Sequence, residues 1–426
     1  MIAQLRAIVR ADSPSHIAIG RLGVSALGLL SAPIVARAIG PSGRGETAAT
    51  IALAYIVPVL LGMGVPLELR RLAATTDVTA ALRAARRLGL LTILPATAVA
   101  VALYASLFSD FGQAARLVAS LNVALCPLML SWTLDLSVLV ARGRFRNVLV
   151  LQLTQPSIYL LAIVVLWVTH TASTATVLAS NLVGTAATCI AGLFMTRVKF
   201  RGERSSYGSL LRGGVKFAGS SVSEIASNKL DQVLVLPLIG SVGAGLYAVA
   251  VTVASVPLAF GQALGASYFT PIARASGTER RELQTRSVRA GIAMGLMTCP
   301  PLGLIAWVGI PVVFGKEFTS AVPVAGICLA GSVALVTNFV CSMALAASGQ
   351  GVRMTVSQVT ALAVAIGALL VLGPAWGAKG AATASSIGYF VLMSMLLLSL
   401  RMSPLAIAPR PRDFKEAIRQ LVRGER

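Results

Sequence analysis

Long apolar runs recur along the whole chain, each bounded by a short polar or basic segment. A helix crossing the bilayer core needs about 20 such residues. Stretches of that length stand at 17–39, 48–69, 88–108, 118–140, 148–168, 174–195, 217–238, 245–266, 290–313, 321–346, 354–373 and 380–400. The pattern predicts an all-α, polytopic membrane protein with twelve transmembrane helices. The first stretch reads as a retained span rather than a cleaved leader, because it is long, carries Arg21 and Arg37 and lacks a cleavage site.

Composition supports the membrane as solvent. Of 426 residues, 56% are hydrophobic and 12% are charged, whereas a soluble chain carries roughly a quarter charged residues. That excludes a soluble enzyme with a small anchor, a disordered chain and a disulfide scaffold. Cys126, Cys189, Cys299, Cys328 and Cys341 all lie in apolar stretches without a CxxC pair, and His16 and His170 are the two histidines. Neither a metal site nor a cofactor is expected.

The net charge of +21 is distributed by loop, which removes the nucleic-acid reading of a basic chain. Alternate connections and the two ends hold 29 of the 36 Lys and Arg, the other connections hold four (Arg44, Arg116, Lys316 and Lys379), and Arg21, Arg37 and Lys229 lie within spans. By the positive-inside rule both termini are expected in the cytoplasm, in the inner cell membrane. Ile2, Leu5 and Val9 beside Arg6 and Arg10, and Phe414, Ile418, Leu421 and Val422 beside Lys415, Arg419 and Arg423, recur at helical spacing. Both segments predict amphipathic helices on the inner surface, with anionic lipids as partners.

A repeat divides the chain. Ile39-Gly40-x-x-Gly43-x-Gly45 returns as Ile239-Gly240-x-x-Gly243-x-Gly245, and Gly143 with Gln152 is echoed by Gly349 with Gln358. Six spans per copy return the chain to the same side, so two halves of parallel topology around a central cavity are expected, a transporter layout. The division is 1–200 for the first lobe with its amphipathic start, 201–215 for a basic cytoplasmic linker, 216–400 for the second lobe and 401–426 for a basic amphipathic tail. Pro33, Pro58, Pro127, Pro156, Pro237 and Pro257 fall within spans and are expected to bend them.

Several segments in order resemble one superfamily. They are Ile39 to Gly45 leading into span two, Arg144-Phe-Arg146 with Gln152 at span five, Asn228-Lys-Leu-Asp231 followed by Gly240 to Tyr247, Pro311 to Pro323, and Gly377-Ala-Lys-Gly-Ala-Ala382 before span twelve. The chain resembles the multidrug/oligosaccharidyl-lipid/polysaccharide exporter superfamily and, within it, the polysaccharide transporter branch of Wzx-type flippases. The resemblance implies movement of a polyprenyl-pyrophosphate-linked oligosaccharide from the inner to the outer leaflet by alternating access. Lipid II flippases of the superfamily usually carry fourteen spans, and twelve argue against that branch. A cation-coupled multidrug exporter of the same superfamily is the alternative.

Charges inside spans are expensive and mark function by default. In span seven, Ser220, Glu224, Ser227, Asn228 and Asp231 share one helical face. Lys229 stands roughly 200° around the helix from Asp231. Arg21, Arg37, Lys229 and Asn228 are the candidates for binding the diphosphate and glycan, since guanidinium forks match phosphate oxygens. Arg21 and Arg37 alternatively snorkel to an interface, and Lys229 alternatively answers an acid on another helix. Glu224, Asp231 and Asp135 are candidate cavity or proton- or sodium-coupling acids, with Asp135 expected to pair with Arg21 or Lys229. Glu46 and Glu68, at span ends, are expected to be solvated. Gly309 to Lys316 imitates a phosphate loop but has five residues between its glycines and Glu317 after its lysine, so ATP is not the expected energy source. The short outer connections leave little room for the catalytic acids of a membrane glycosyltransferase or ligase. Catalysis is therefore not expected, and twelve spans suffice for a working monomer.

Overall fold

The structure, a computed structural model, describes residues 15–73, 78–402 and 407–423. The amphipathic start with Ile2, Leu5, Arg6, Val9 and Arg10 lies outside the described residues. Among the described residues every regular element is helical, and nine helical runs are long and apolar enough to cross a membrane. Three of these, Ile19–Gly62, Lys229–Arg274 and Gly351–Ser399, have 44, 46 and 49 residues, well beyond the length of one crossing. Large apolar side chains point outward along the runs, as Leu94 (75% exposed), Phe194 (76%) and Leu304 (74%) do. Lipid, not water, suits such a surface.

Contacts divide the chain into two compact units, Met1–Val233 and Leu234–Arg426, with the boundary inside the seventh predicted span rather than in the basic 201–215 stretch. The first unit contains α1 (Ser15–Gly62), α2 (Val65–Ala73), α3 (Thr79–Leu91), α4 (Ile93–Ala105), α5 (Gln113–Ala124), α6 (Pro127–Ala141), α7 (Phe145–Val168), α8 (Thr174–Thr196) and the start of α9 (Tyr207–Ala254). α1 packs on α7 and α8, and α8 also packs on α5, α6 and α7. One core cluster joins Leu69, Leu82, Leu134, Val138 and Leu210 across α2, α3, α6 and α9, while Val35, Tyr159, Ile163 and Val177 join α1, α7 and α8. The sharp start of α8 is a capping box, in which the Thr176 N–H donates to Ser173 Oγ at 3.2 Å and the Ser173 N–H to Thr176 Oγ1 at 2.8 Å.

The second unit continues with the rest of α9, α10 (Val256–Arg274), α11 (Gly277–Gly309), a π turn at Ile310–Phe314, a 3₁₀ turn at Lys316–Phe318, α12 (Ala321–Ala347), α13 (Gly351–Ser399) and α14 (Pro411–Arg423). α12 packs on α10, α11 and α13, and its polar groups serve its neighbours. Asn338 Nδ2 donates to the Tyr389 carbonyl at 2.8 Å. Ser332 Oγ donates at 2.9 Å to the carbonyl of Ala254. That carbonyl is freed because the helix breaks before Pro257 and the Leu258 N–H turns to Ser255 instead. In an apolar medium such a carbonyl must find a partner, and α12 supplies it.

The repeat has a structural counterpart. Gly40 (φ 68°, ψ −177°) and Gly240 (φ 75°, ψ 173°) adopt the same backbone conformation inside α1 and α9. This region of backbone space is essentially open to glycine alone. Gly43 and Gly243 each press on the isoleucine four residues earlier, Ile39 and Ile239, where an added Cβ would come within about 3 Å of the side chain. The weaker echo matches too, since Gly143 (φ 68°) and Gly349 (φ 73°) are both left-handed. The prolines fall at two kinds of position. Pro33, Pro58 and Pro237 lie within helices whose non-helical breaks fall at Gly40 and Gly240, Pro156 lies within α7, and Pro127 and Pro257 open new helices after a break.

The tail also departs from a helix lying free on the bilayer. α14 packs on α10 and α11, and Ala417 is fully buried in a cluster with Tyr268, Val288 and Met294. The side chains of Ile418, Leu421, Val422 and Arg423 lie outside the described residues.

Candidate functional site

The first unit gathers a polar cluster from three helices. Beyond the Gly40 break, α1 carries Arg44, Glu46 and Tyr55; Arg44 and Tyr55 are eleven residues, about 16 Å, apart along one face. α7 supplies Gln155 and, one turn on, Tyr159. α9 supplies Lys229 and Asp231. Lys229 is half-buried, with Nζ 6.0 Å from the centre of the Tyr55 ring, at the outer limit of a cation–π contact. Tyr55 Oη donates to Gln155 Oε1 at 3.4 Å. The charges acting on Lys229 are those of Asp231 and Arg44, and Arg44 also acts on Tyr159. Asp231 Oδ1 accepts the Gln232 N–H at 2.8 Å. Gln155 is held where α8 comes close, since a Cβ on Gly184 would lie 2.9 Å from the Gln155 carbonyl.

Beside this cluster lies a small cavity of about 20 Å³, lined in part by Tyr55, Gln155, Asn122, Asn181 and Thr185. It has room for about one water molecule. Asn122 Nδ2 donates to the carbonyls of Val118 (2.9 Å) and Leu178 (3.2 Å), bridging α5 and α8.

Of the residues singled out from sequence, Lys229 and Asp231 fall in this cluster. The side chains of Glu224 and Asn228, and those of Ser220 and Ser227, lie outside the described residues. Arg21 and Arg37 are exposed on the first half of α1, and Arg21 acts on Arg70 of α2. Arg44 was assigned by sequence to an outer connection; the structure instead puts it on helix α1, where its charge acts on Lys229. Its signal was present, since it stands in the second glycine-repeat interval.

Asp135 corrects a second expectation. Its partner is Arg86, not Arg21 or Lys229, and Arg86 lies within α3 rather than in a solvated loop. Arg86 Nη2 donates to Asp135 Oδ1 at 2.6 Å and to Thr196 Oγ1 at 2.7 Å, while Nη1 donates to the Val198 carbonyl at 2.7 Å. Both side chains are sealed, and the guanidinium stands 5.3 Å from the Phe200 ring centre. This junction clamps α3, α6 and the end of α8. Asp135 is thereby paired with a cation of its own unit.

Glu68 is likewise not solvated. The apolar span ends at Gly62, and Glu68 stands beyond it on α2, buried. It accepts a two-pronged bond from Arg71, Nε to Oε2 at 2.8 Å and Nη2 to Oε1 at 2.7 Å. That bond holds its carboxyl below the usual value of 4.5. Glu46, half-buried, accepts from Ser42 Oγ at 3.4 Å.

Comparison with known proteins shows the same fold elsewhere. The chain is similar to the lipid II flippase MurJ in an inward closed conformation, with a TM-score of 0.78 and 13% identity over 95% of this chain and 91% of that one. It is similar to an inward-facing multidrug resistance MATE family transporter of the MOP superfamily, with a TM-score of 0.71 and 14% identity over 92% and 98% of the two chains. A MOP superfamily transporter from Pyrococcus furiosus gives a TM-score of 0.57 and 14% identity over 94% and 96%. At these identities the likeness is one of fold. No curated protein sequence matches the chain. Residues 34–323 match the family described as polysaccharide biosynthesis protein, and with that match over most of its length the chain belongs to this family, built on the MOP-superfamily transporter fold.

Proposed function

We propose that the protein is a flippase that carries a polyprenyl-pyrophosphate-linked oligosaccharide from the inner to the outer leaflet by alternating access. The observation that carries the reading is the Arg44–Lys229 pair. Arg44 and Lys229 act on each other electrostatically, alongside the acid Asp231, inside an apolar helical bundle where charges mark function, and a diphosphate is an anion suited to two such cations. Tyr55, Tyr159 and Gln155 beside them are suited to hydrogen bonding sugar hydroxyls. Membership of a polysaccharide biosynthesis family and a fold shared with a lipid II flippase support a lipid-linked substrate.

Splitting each of the three over-long helical runs at its glycine, Gly40, Gly240 or Gly377, gives twelve crossings in two halves of six. The excess of Lys and Arg in alternate connections and at the two ends favours cytoplasmic ends. Coupling to a proton or sodium gradient is part of the proposal, with Asp231, whose charge acts on Lys229, as the candidate acid. Arg21 and Arg37, exposed on α1, fit an approach path for the anionic head better than the binding site itself.

The multidrug-exporter reading has the fold of MATE transporters behind it, but a site led by Arg44 and Lys229 favours an anion over cationic drugs. The test in cells is direct. Spheroplasts lacking the protein should hold carrier-linked oligosaccharide that a membrane-impermeant label cannot reach. Equal labelling with and without the protein, together with retention of a cationic dye only in its absence, would overturn the flippase reading.

A further inference from the structure

A second basic feature, in the other unit, has no part in the transport reading. α11 begins at left-handed Gly277. Thr278, Arg281, Glu282, Thr285, Arg286 and Arg289 follow at i, i+3, i+4, i+7, i+8 and i+11, one face of the helix. The opposite face is sealed into the bundle, with Ser287 and Val288 buried and Gln284 Nε2 donating to Ser348 Oγ at 2.8 Å. Hence the arginine face has a fixed orientation. It is roofed by the tail: Arg410 and Arg412 stand at the start of α14, where Asp413 Oδ2 accepts the Arg410 N–H at 2.7 Å and Ala417 anchors the helix in the core. Between these two elements lies a cavity of about 550 Å³ lined by five arginines and two acids, Glu282 and Asp413.

We infer that this cavity is a binding site for a phosphate-bearing anion, of the size of a diphosphate or of an anionic phospholipid headgroup. The volume falls in the range of small-ligand sites, about 300–1,000 Å³, and exceeds what a single phosphate fills. Arginine, with no lysine in the lining, is the residue suited to planar, bidentate contact with phosphate oxygens. Because Arg410 and Arg412 come from the tail and Arg281, Arg286 and Arg289 from α11, a bound anion ties α14 to the helix it roofs. The same chemistry is offered by a lipid headgroup at the membrane surface and by a soluble diphosphate.

The test uses the purified full chain in phosphatidylcholine nanodiscs and follows its thermal unfolding by tryptophan fluorescence. One arm titrates inorganic pyrophosphate, and the other replaces part of the lipid with phosphatidylglycerol. A rise in Tm in the first arm assigns a soluble diphosphate, and a rise confined to the second assigns a headgroup. In either arm Arg286→Gln/Arg412→Gln, both at exposed positions, should raise the half-saturating concentration at least about tenfold, the loss of one charge-assisted contact. The same titrations are run on Lys229→Ala, which disables the diphosphate site proposed for transport: a rise that persists there and is lost in Arg286→Gln/Arg412→Gln belongs to this cavity. No rise in either arm, or a rise that Arg286→Gln/Arg412→Gln leaves intact while Lys229→Ala removes it, would overturn the inference.

Discussion

The Arg86 guanidinium and the Asp135 carboxylate meet at 2.6 Å with 1% and 0% of their side chains exposed. Removing one member of such a pair strands a buried charge, at a cost of about 3–5 kcal/mol, whereas replacing both with apolar groups is often close to neutral. Asp135→Leu and Arg86→Leu should therefore each lower Tm strongly, and the double variant should recover most of the loss. Thermal melts of the four proteins form a double-mutant cycle; additive losses would show that the two groups do not depend on each other. Gly192 belongs to the same junction, because a Cβ there would lie 2.8 Å from Asp135 Oδ2, so Gly192→Ala should be destabilising as well.

Gly240 separates backbone strain from crowding. Nothing lies within 4 Å of a Cβ added there, so Gly240→Ala should cost about 1–3 kcal/mol through its φ of 75° alone. Gly367, helical and equally open, should accept alanine with no loss or a gain of about 0.5–1 kcal/mol. Equal stability of the two variants would contradict the conformational account of the repeat.

Glu68 makes stability depend on acid. Its folded carboxyl titrates below the ordinary value because Arg71 binds the charged form. The contribution is therefore fully present above about pH 4.5 and is lost as pH falls through the lower, folded value. Melts at pH 7 and in the acid range should show a larger drop for the parent protein than for Glu68→Gln. Parallel drops would remove the ion pair as the cause.

Spans and repeat were legible in the sequence for one physical reason each. A bilayer imposes a minimum apolar length that composition cannot hide, and the left-handed geometry at Gly40, Gly240, Gly143 and Gly349 admits little but glycine. Lys229 was legible because a lone cation in an apolar run is conspicuous. Arg86 and Arg44 were not, since each stands close to other polar residues at a span end, where a loop and the first turns of a buried helix read alike. The docking of α14 was hidden for a similar reason. An amphipathic face is apolar whether lipid or protein covers it, and only the packing of Ala417 distinguishes them.

Coupling gives a separate test. If an ion gradient drives transport through Asp231, then Asp231→Asn should leave substrate exchange under no gradient intact while abolishing accumulation against one. Transport that stays unchanged after collapse of both the proton and sodium gradients would remove ion coupling from the account.

If Arg44 and Lys229 recognise the diphosphate of a lipid-linked glycan, flipping by the purified protein in liposomes depends on both. A fluorescent polyprenyl-pyrophosphate oligosaccharide is supplied, and its leaflet distribution is followed with time. The account predicts protein-dependent transfer that falls about ten- to a hundredfold in Arg44→Ala and in Lys229→Ala, the worth of one charge-assisted contact to each, with both variants still folded and inserted. Transfer at the parental rate in both variants would contradict the site, and no transfer of any of several glycans alongside efflux of a cationic dye would contradict the function.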